Sequence, residues 1–89
     1  MIEKQVQIIN KLGLHARAAA KFVTLASTFS SDVFLLKDQQ KVNGKSIMGV
    51  MMLAASKGTE VVLEVEGSDE KDCMEAIVQL INDRFDEGE

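Results

Sequence analysis

Residues 60–66 alternate, with Val61, Leu63 and Val65 on one face and glutamate at three of the four opposing positions. Such a segment is a strand with one apolar face, and it needs neighbouring strands and a cover for that face. The same period recurs at the start of the chain. Ile2, Lys4, Val6 and Ile8 share one side, while Glu3, Gln5 and Gln7 share the other. Asn10-Lys11-Leu12-Gly13 then breaks the alternation as a loop. Val33–Lys37 predicts a second strand, and Asp38-Gln39 turns the chain into a short third one ending near Val42.

Helical spacing fills the gaps between these strands. Ala19, Phe22, Val23, Ala26 and Phe29 form one apolar stripe, with Arg17, Lys21 and Thr24 on the polar side. Ser30-Ser31-Asp32 ends that helix. Asn43-Gly44-Lys45-Ser46 predicts a turn finishing in a helix N-cap, followed by a short helix from Ile47 to about Ala55 that stops at Lys57-Gly58. Val50, Leu53 and Ala54 are expected to face the sheet, with Met52 as further core filling. After Gly67, Ser68 is the expected cap of a last helix with Asp69, Glu70 and Asp72 in its first turn. Cys73, Met74, Ile77, Val78, Leu80 and Ile81 are its apolar stripe, and the acidic tail at 86–89 is expected to fray. The element order is βαββαβα, which predicts an α+β, two-layer sandwich.

Eighty-nine residues suffice for one domain, 1–89, with one core. The net charge of -4 and the absence of Trp and Tyr argue against a nucleic-acid partner. One cysteine, Cys73, permits no internal disulfide and reads as a small buried apolar residue. The N-terminal residues contain no apolar stretch of signal-peptide length, and no segment approaches the roughly 20 apolar residues of a membrane helix. Composition therefore predicts a soluble cytoplasmic domain without membrane insertion.

The richest chemistry lies where the only histidine, His15, precedes the first helix. The flanking residues include no Ser, Thr, Asp or Asn to cap the helix, so free N–H groups at its positive end would form an anion site. Arg17 adds a fork of donors suited to phosphate oxygens. Near pH 7 a histidine keeps a neutral ring fraction with a nucleophilic lone pair. On spacing alone, His15 could equally end a loop beside a solvated Arg17. One His and one Cys cannot furnish a usual metal-ligand set, no nucleophile-elbow motif is present, and no cofactor is implied.

Two motifs supply more. Gly13-Leu14-His15-Ala16-Arg17, followed by Ala19-Ala20, and Asn43-Gly44-Lys45-Ser46-Ile47-Met48-Gly49-Val50-Met51 together resemble the HPr family. These are the histidine phosphocarriers of the phosphoenolpyruvate-dependent phosphotransferase system. The resemblance covers nearly the whole chain and implies an open-faced sandwich, with a four-stranded antiparallel sheet covered on one face by three helices. It implies that His15 accepts phosphate on Nδ1, that Arg17 neutralises it, and that the backbone amides of Ala16 and Arg17 cradle it. The protein would then be a carrier rather than an enzyme. Enzyme I would be the donor, and an A domain of a sugar permease or its nitrogen-branch equivalent the acceptor. Where the family usually has proline, this chain has Ala18, a strong helix former.

Ser46 reads first as the N-cap of the short helix. In many family members the matching serine is also phosphorylated by HPr kinase/phosphorylase, and Lys45 beside it would offset the added charge. Ile47, Met48 and Met51 face away from the sheet and, with Ala20, are the expected docking surface, because flexible thioethers can repack against several partners. An alternative reading is a regulatory binding module acting mainly through Ser46 and this patch. A carrier that meets donor and acceptor in turn is expected to be a monomer.

Overall fold

The computed structural model describes residues 1–87. Four strands form one sheet: β1 (Ile2–Gln7), β2 (Asp32–Lys37), β3 (Gln40–Asn43) and β4 (Glu60–Glu66). Their spatial order is β1-β4-β2-β3, and every neighbouring pair is antiparallel. The register puts like with like. Ile2 lies opposite Val65 and Val6 opposite Val61, while Leu35 lies opposite both Leu63 and Val42. Directly opposed residues share a face, so these side chains make one apolar surface. Three helices cover it: α1 (Ala16–Ala26), α2 (Ile47–Met52) and α3 (Glu70–Asn82). The other face carries Glu64, whose carboxylate meets the Lys41 ammonium at 3.2 Å, with Lys41 4.6 Å above the Phe34 ring. The fold is the open-faced α+β sandwich expected from the sequence. Among the described residues, no helix is long and apolar enough to cross a membrane.

Between sheet and helices lie Phe22, Val33, Leu35, Val50, Leu53, Val61, Leu63, Ile77 and Ile81, all fully buried or nearly so. Cys73 is buried with them, and its burial, aided by the charge of Asp69, pushes the thiol above its ordinary value. A protonated, enclosed thiol fits the apolar role read from the sequence.

Six local expectations change. Helix α1 ends at Ala26, and Phe29 packs half-buried from the turns that follow. Helix α2 ends at Met52, before Ala55. Ala54 adopts a left-handed φ of 51° and is exposed, so Ala55 takes the buried position expected of Ala54. Met52 is exposed rather than core.

At the start of α3 the cap position belongs to Asp69, not Ser68, and Asp69 does not cap its own helix. Its carboxylate instead accepts from the N–H groups of Ser30 and Ser31, each at 2.9 Å, and from the Ser31 hydroxyl. Finally, the tail is ordered through Glu87, while 88–89 lie outside the described residues. Arg84, Phe85 and Asp86 all adopt left-handed φ values of 55°, 53° and 62°, and this turn drives the Phe85 ring into the core at 0% exposure.

Candidate functional site

The loop between β1 and α1 is held from both ends. Asn10 is completely buried, and its Nδ2 donates to the Gly13 carbonyl at 2.8 Å. Gly13 takes a left-handed φ of 68°, and a Cβ there would stand 2.5 Å from the Ala55 carbonyl oxygen. Only glycine fits such a position without displacement. Leu14 N–H then donates to that same Ala55 oxygen at 2.8 Å, tying the loop to the segment after α2.

This scaffold delivers His15 to the N-cap of α1 in extended conformation, φ -75° and ψ 179°. The helix entrance is therefore capped after all, by the histidine itself. Nδ1 accepts from Arg17 N–H at 3.3 Å, and the His15 carbonyl accepts from Ala19 N–H at 2.8 Å. At 3.3 Å the ring bond is long and easily exchanged for a better acceptor. Ala16 N–H, at the first helical position, has no backbone acceptor among the described residues. The positive end of α1 thus meets the ring at Nδ1.

The opposite ring nitrogen faces the C-terminal segment. His15 Nε2 lies 2.5 Å from Glu87 Oε2, and Glu87 Oε1 accepts from Asn10 Nδ2 at 3.0 Å. Burial, the largest single influence on Glu87, raises its carboxyl. The hydrogen bonds from Asn10 and His15, with the charges of His15 and Arg17, outweigh that and hold it below the ordinary glutamate value. Lys21 Nζ secures the segment by donating to the Phe85 carbonyl at 2.7 Å.

A cleft opens here, lined by His15, Ala16, Arg17, Lys21, Asp86 and Glu87, with Lys11 at its edge. Arg17 has no ion pair among the described residues. An otherwise acidic chain therefore gathers three cations, Lys11, Arg17 and Lys21, with the carboxylates of Asp86 and Glu87, around one imidazole ring.

Ser46 occupies the N-cap of α2, where its Oγ accepts from Gly49 N–H at 3.1 Å. The Lys45 ammonium beside it donates to the Phe29 carbonyl at 2.9 Å. Ile47, Met48, Met51 and Met52 are all exposed, Met48 the most at 75%. Ala20 lies on α1, half-buried, in a separate shallow groove with Leu25 and Leu80. Ala18 is fully buried in the first turn of α1, which forms normally without proline.

Sequence reasoning missed Asn10, Phe85 and Glu87. The usable signal was Phe85 itself, four residues after Ile81 and eight after Ile77, which prolongs the buried stripe of α3 into the tail. Among the described residues no group of three or more His, Cys, Asp or Glu could hold a metal ion.

Comparison with known proteins gives a consistent result. A family model described as the PTS HPr component phosphorylation site matches residues 2–83. The phosphocarrier protein HPr of Neisseria meningitidis is 56% identical over 89 residues, 100% of either chain. A crystal structure of HPr from Thermoanaerobacter tengcongensis superposes with a TM-score of 0.94 at 52% identity, covering 98% of both chains. An HPr dimer from the same organism superposes with a TM-score of 0.77 at 52% identity, covering 96% of this chain and 98% of that one.

Proposed function

The chain belongs to the HPr family of phosphocarrier proteins, and from that membership and the His15 loop we propose that His15 is a transient phosphoryl holder. It accepts the group from phospho-enzyme I and passes it to A domains of phosphotransferase-system permeases or of the nitrogen branch. The observation that carries the reading is the cap geometry, in which Nδ1 faces the Arg17 N–H at the positive end of α1.

In the proposed transfer the Nδ1 lone pair attacks phosphorus while the donor's bond to phosphorus breaks, its electron pair returning to the donor. The Nε2 proton stays on the ring. The phosphoryl oxygens replace the ring as acceptor of Arg17 N–H, take the Ala16 N–H, and draw in the Arg17 guanidinium. Reversal onto an acceptor uses the same groups. Phosphoryl transfer depends mainly on positioning and charge stabilisation, so an exposed site serves once a partner covers it.

Ile47, Met48 and Met51 suit the docking role, since exposed thioethers can repack against successive partners. Ala20, in its own groove on α1, would be a second point of contact. Regulatory phosphorylation of Ser46 by HPr kinase/phosphorylase would place a charge of about -1.5 to -2 at the start of α2, within this surface. That placement supports control of docking as a second role of the same face. The cytoplasm, where donor and acceptor domains meet, is the proposed location.

The test is direct. With enzyme I and labelled phosphoenolpyruvate, the protein gains an acid-labile, base-stable phosphate, and His15→Ala gains none. Equal labelling of the two proteins would refute the assignment.

A further inference from the structure

Glu87 gives the His15 ring something that the helix end cannot. Arg17 N–H is a donor by chemistry, so Nδ1 must be unprotonated to accept from it. An ionised Glu87 is an acceptor by chemistry, so Nε2 must carry hydrogen to bond it. One ring form alone satisfies both neighbours, the neutral imidazole protonated at Nε2. A hydrogen bond at one ring nitrogen sets the chemistry of the other. We propose that Glu87 is a positioning residue for His15, its carboxylate holding the proton on Nε2 so that the nucleophilic lone pair stays on Nδ1.

The contact is built into the fold. Phe85 anchors the C-terminal turn in the core, Lys21 binds its carbonyl, and the buried Asn10 grips Glu87 Oε1 at 3.0 Å. Asn10 Nδ2 is in turn fixed on the Gly13 carbonyl. Two donors therefore converge on one carboxylate, one from Asn10 and one from the ring. During transfer, positive charge grows on the imidazole as Nδ1 bonds phosphorus, and the Glu87 carboxylate against Nε2–H offsets it. The inference rests on the phosphocarrier reading of His15 and adds the residue that selects its reactive atom.

The arrangement predicts an order of variants that side-chain shape alone would not. In Glu87→Gln the carbonyl oxygen turns to Asn10 Nδ2, so the amide NH2 faces the ring and favours a bare Nε2 with hydrogen on Nδ1. In Glu87→Ala the bias is simply removed. Spectra of ¹⁵N-labelled imidazole, recorded where the ring is neutral, should show mainly Nε2–H in the unmodified protein. The Nδ1–H form should rise in Glu87→Ala and predominate in Glu87→Gln.

Phosphoryl uptake from enzyme I should fall about fivefold in Glu87→Ala, the order that one net hydrogen bond supplies. It should fall by at least about tenfold in Glu87→Gln, where the tautomer is the wrong one. A merely structural Glu87 reverses the ranking, because glutamine is its isostere. Glu87→Gln matching the unmodified protein, or a rate loss without a change of tautomer, would overturn the proposal. If the unmodified protein itself takes up no phosphate, the phosphocarrier reading fails, while the spectra still decide whether Glu87 sets the tautomer.

Discussion

The backbone of Gly13 turns through φ 68° beside the Ala55 carbonyl, and two residues later the chain presents His15 at the head of α1. A side chain at Gly13 would add about 1–2 kcal/mol for the left-handed conformation, before any cost of moving the Ala55 oxygen. Gly13→Ala should therefore lower the urea midpoint by at least that equivalent, and an unchanged midpoint would contradict the loop geometry. The place of His15 just before α1, two residues from Arg17, was legible in the sequence. Its role as the cap was not. The sequence shows which residue precedes a helix, but the rotamer that turns Nδ1 toward Arg17 N–H depends on a loop pinned by Asn10, Gly13 and Ala55.

Among the elements, strands and helices whose burial has a period were readable, because Val61, Leu63 and Val65, or Cys73, Ile77 and Ile81, need only local geometry. Features settled by distant partners were not. Asp69 leaves its own helix uncapped to serve Ser30 and Ser31, and hydrogen bonds from the Ser31 hydroxyl and then Ser30 N–H lower its carboxyl from 3.8 to about 2. A folded value below the unfolded one stabilises the protein above pH 3.8, and that contribution is lost as pH falls through about 2. Asp69→Asn should melt below the unmodified protein at pH 7, and the gap should close near pH 2; a gap independent of pH would contradict the pairing. The tail follows the same rule. Three consecutive left-handed residues cost about 1–2 kcal/mol each. Burial of Phe85, about 1.5–3 kcal/mol, and a bond from the Lys21 ammonium, about 1.5–3 kcal/mol, offset that cost. Lys21 lies 64 residues away in sequence, so fraying was the expectation and a turn ordered through Glu87 the outcome.

For the molecule as a whole, one sheet face is spent on the core, and the chemistry gathers at one helix entrance, where the acidic chain keeps Lys11, Arg17 and Lys21. On the proposed reading, transfer between successive partners uses a docking face that no second copy covers. Sedimentation of the unphosphorylated protein should accordingly give a mass near 9.8 kDa, whereas twice that value would show assembly like the HPr dimer among its solved relatives. The central claim is that Nδ1 of His15 holds the phosphoryl group while Nε2 keeps its proton. Correlation spectra of the ¹⁵N-labelled imidazole, taken after phosphorylation by enzyme I, read both atoms at once. Coupling of phosphorus to Nδ1 with hydrogen retained on Nε2 is the predicted result, and phosphate on Nε2, or on any other residue, would contradict it.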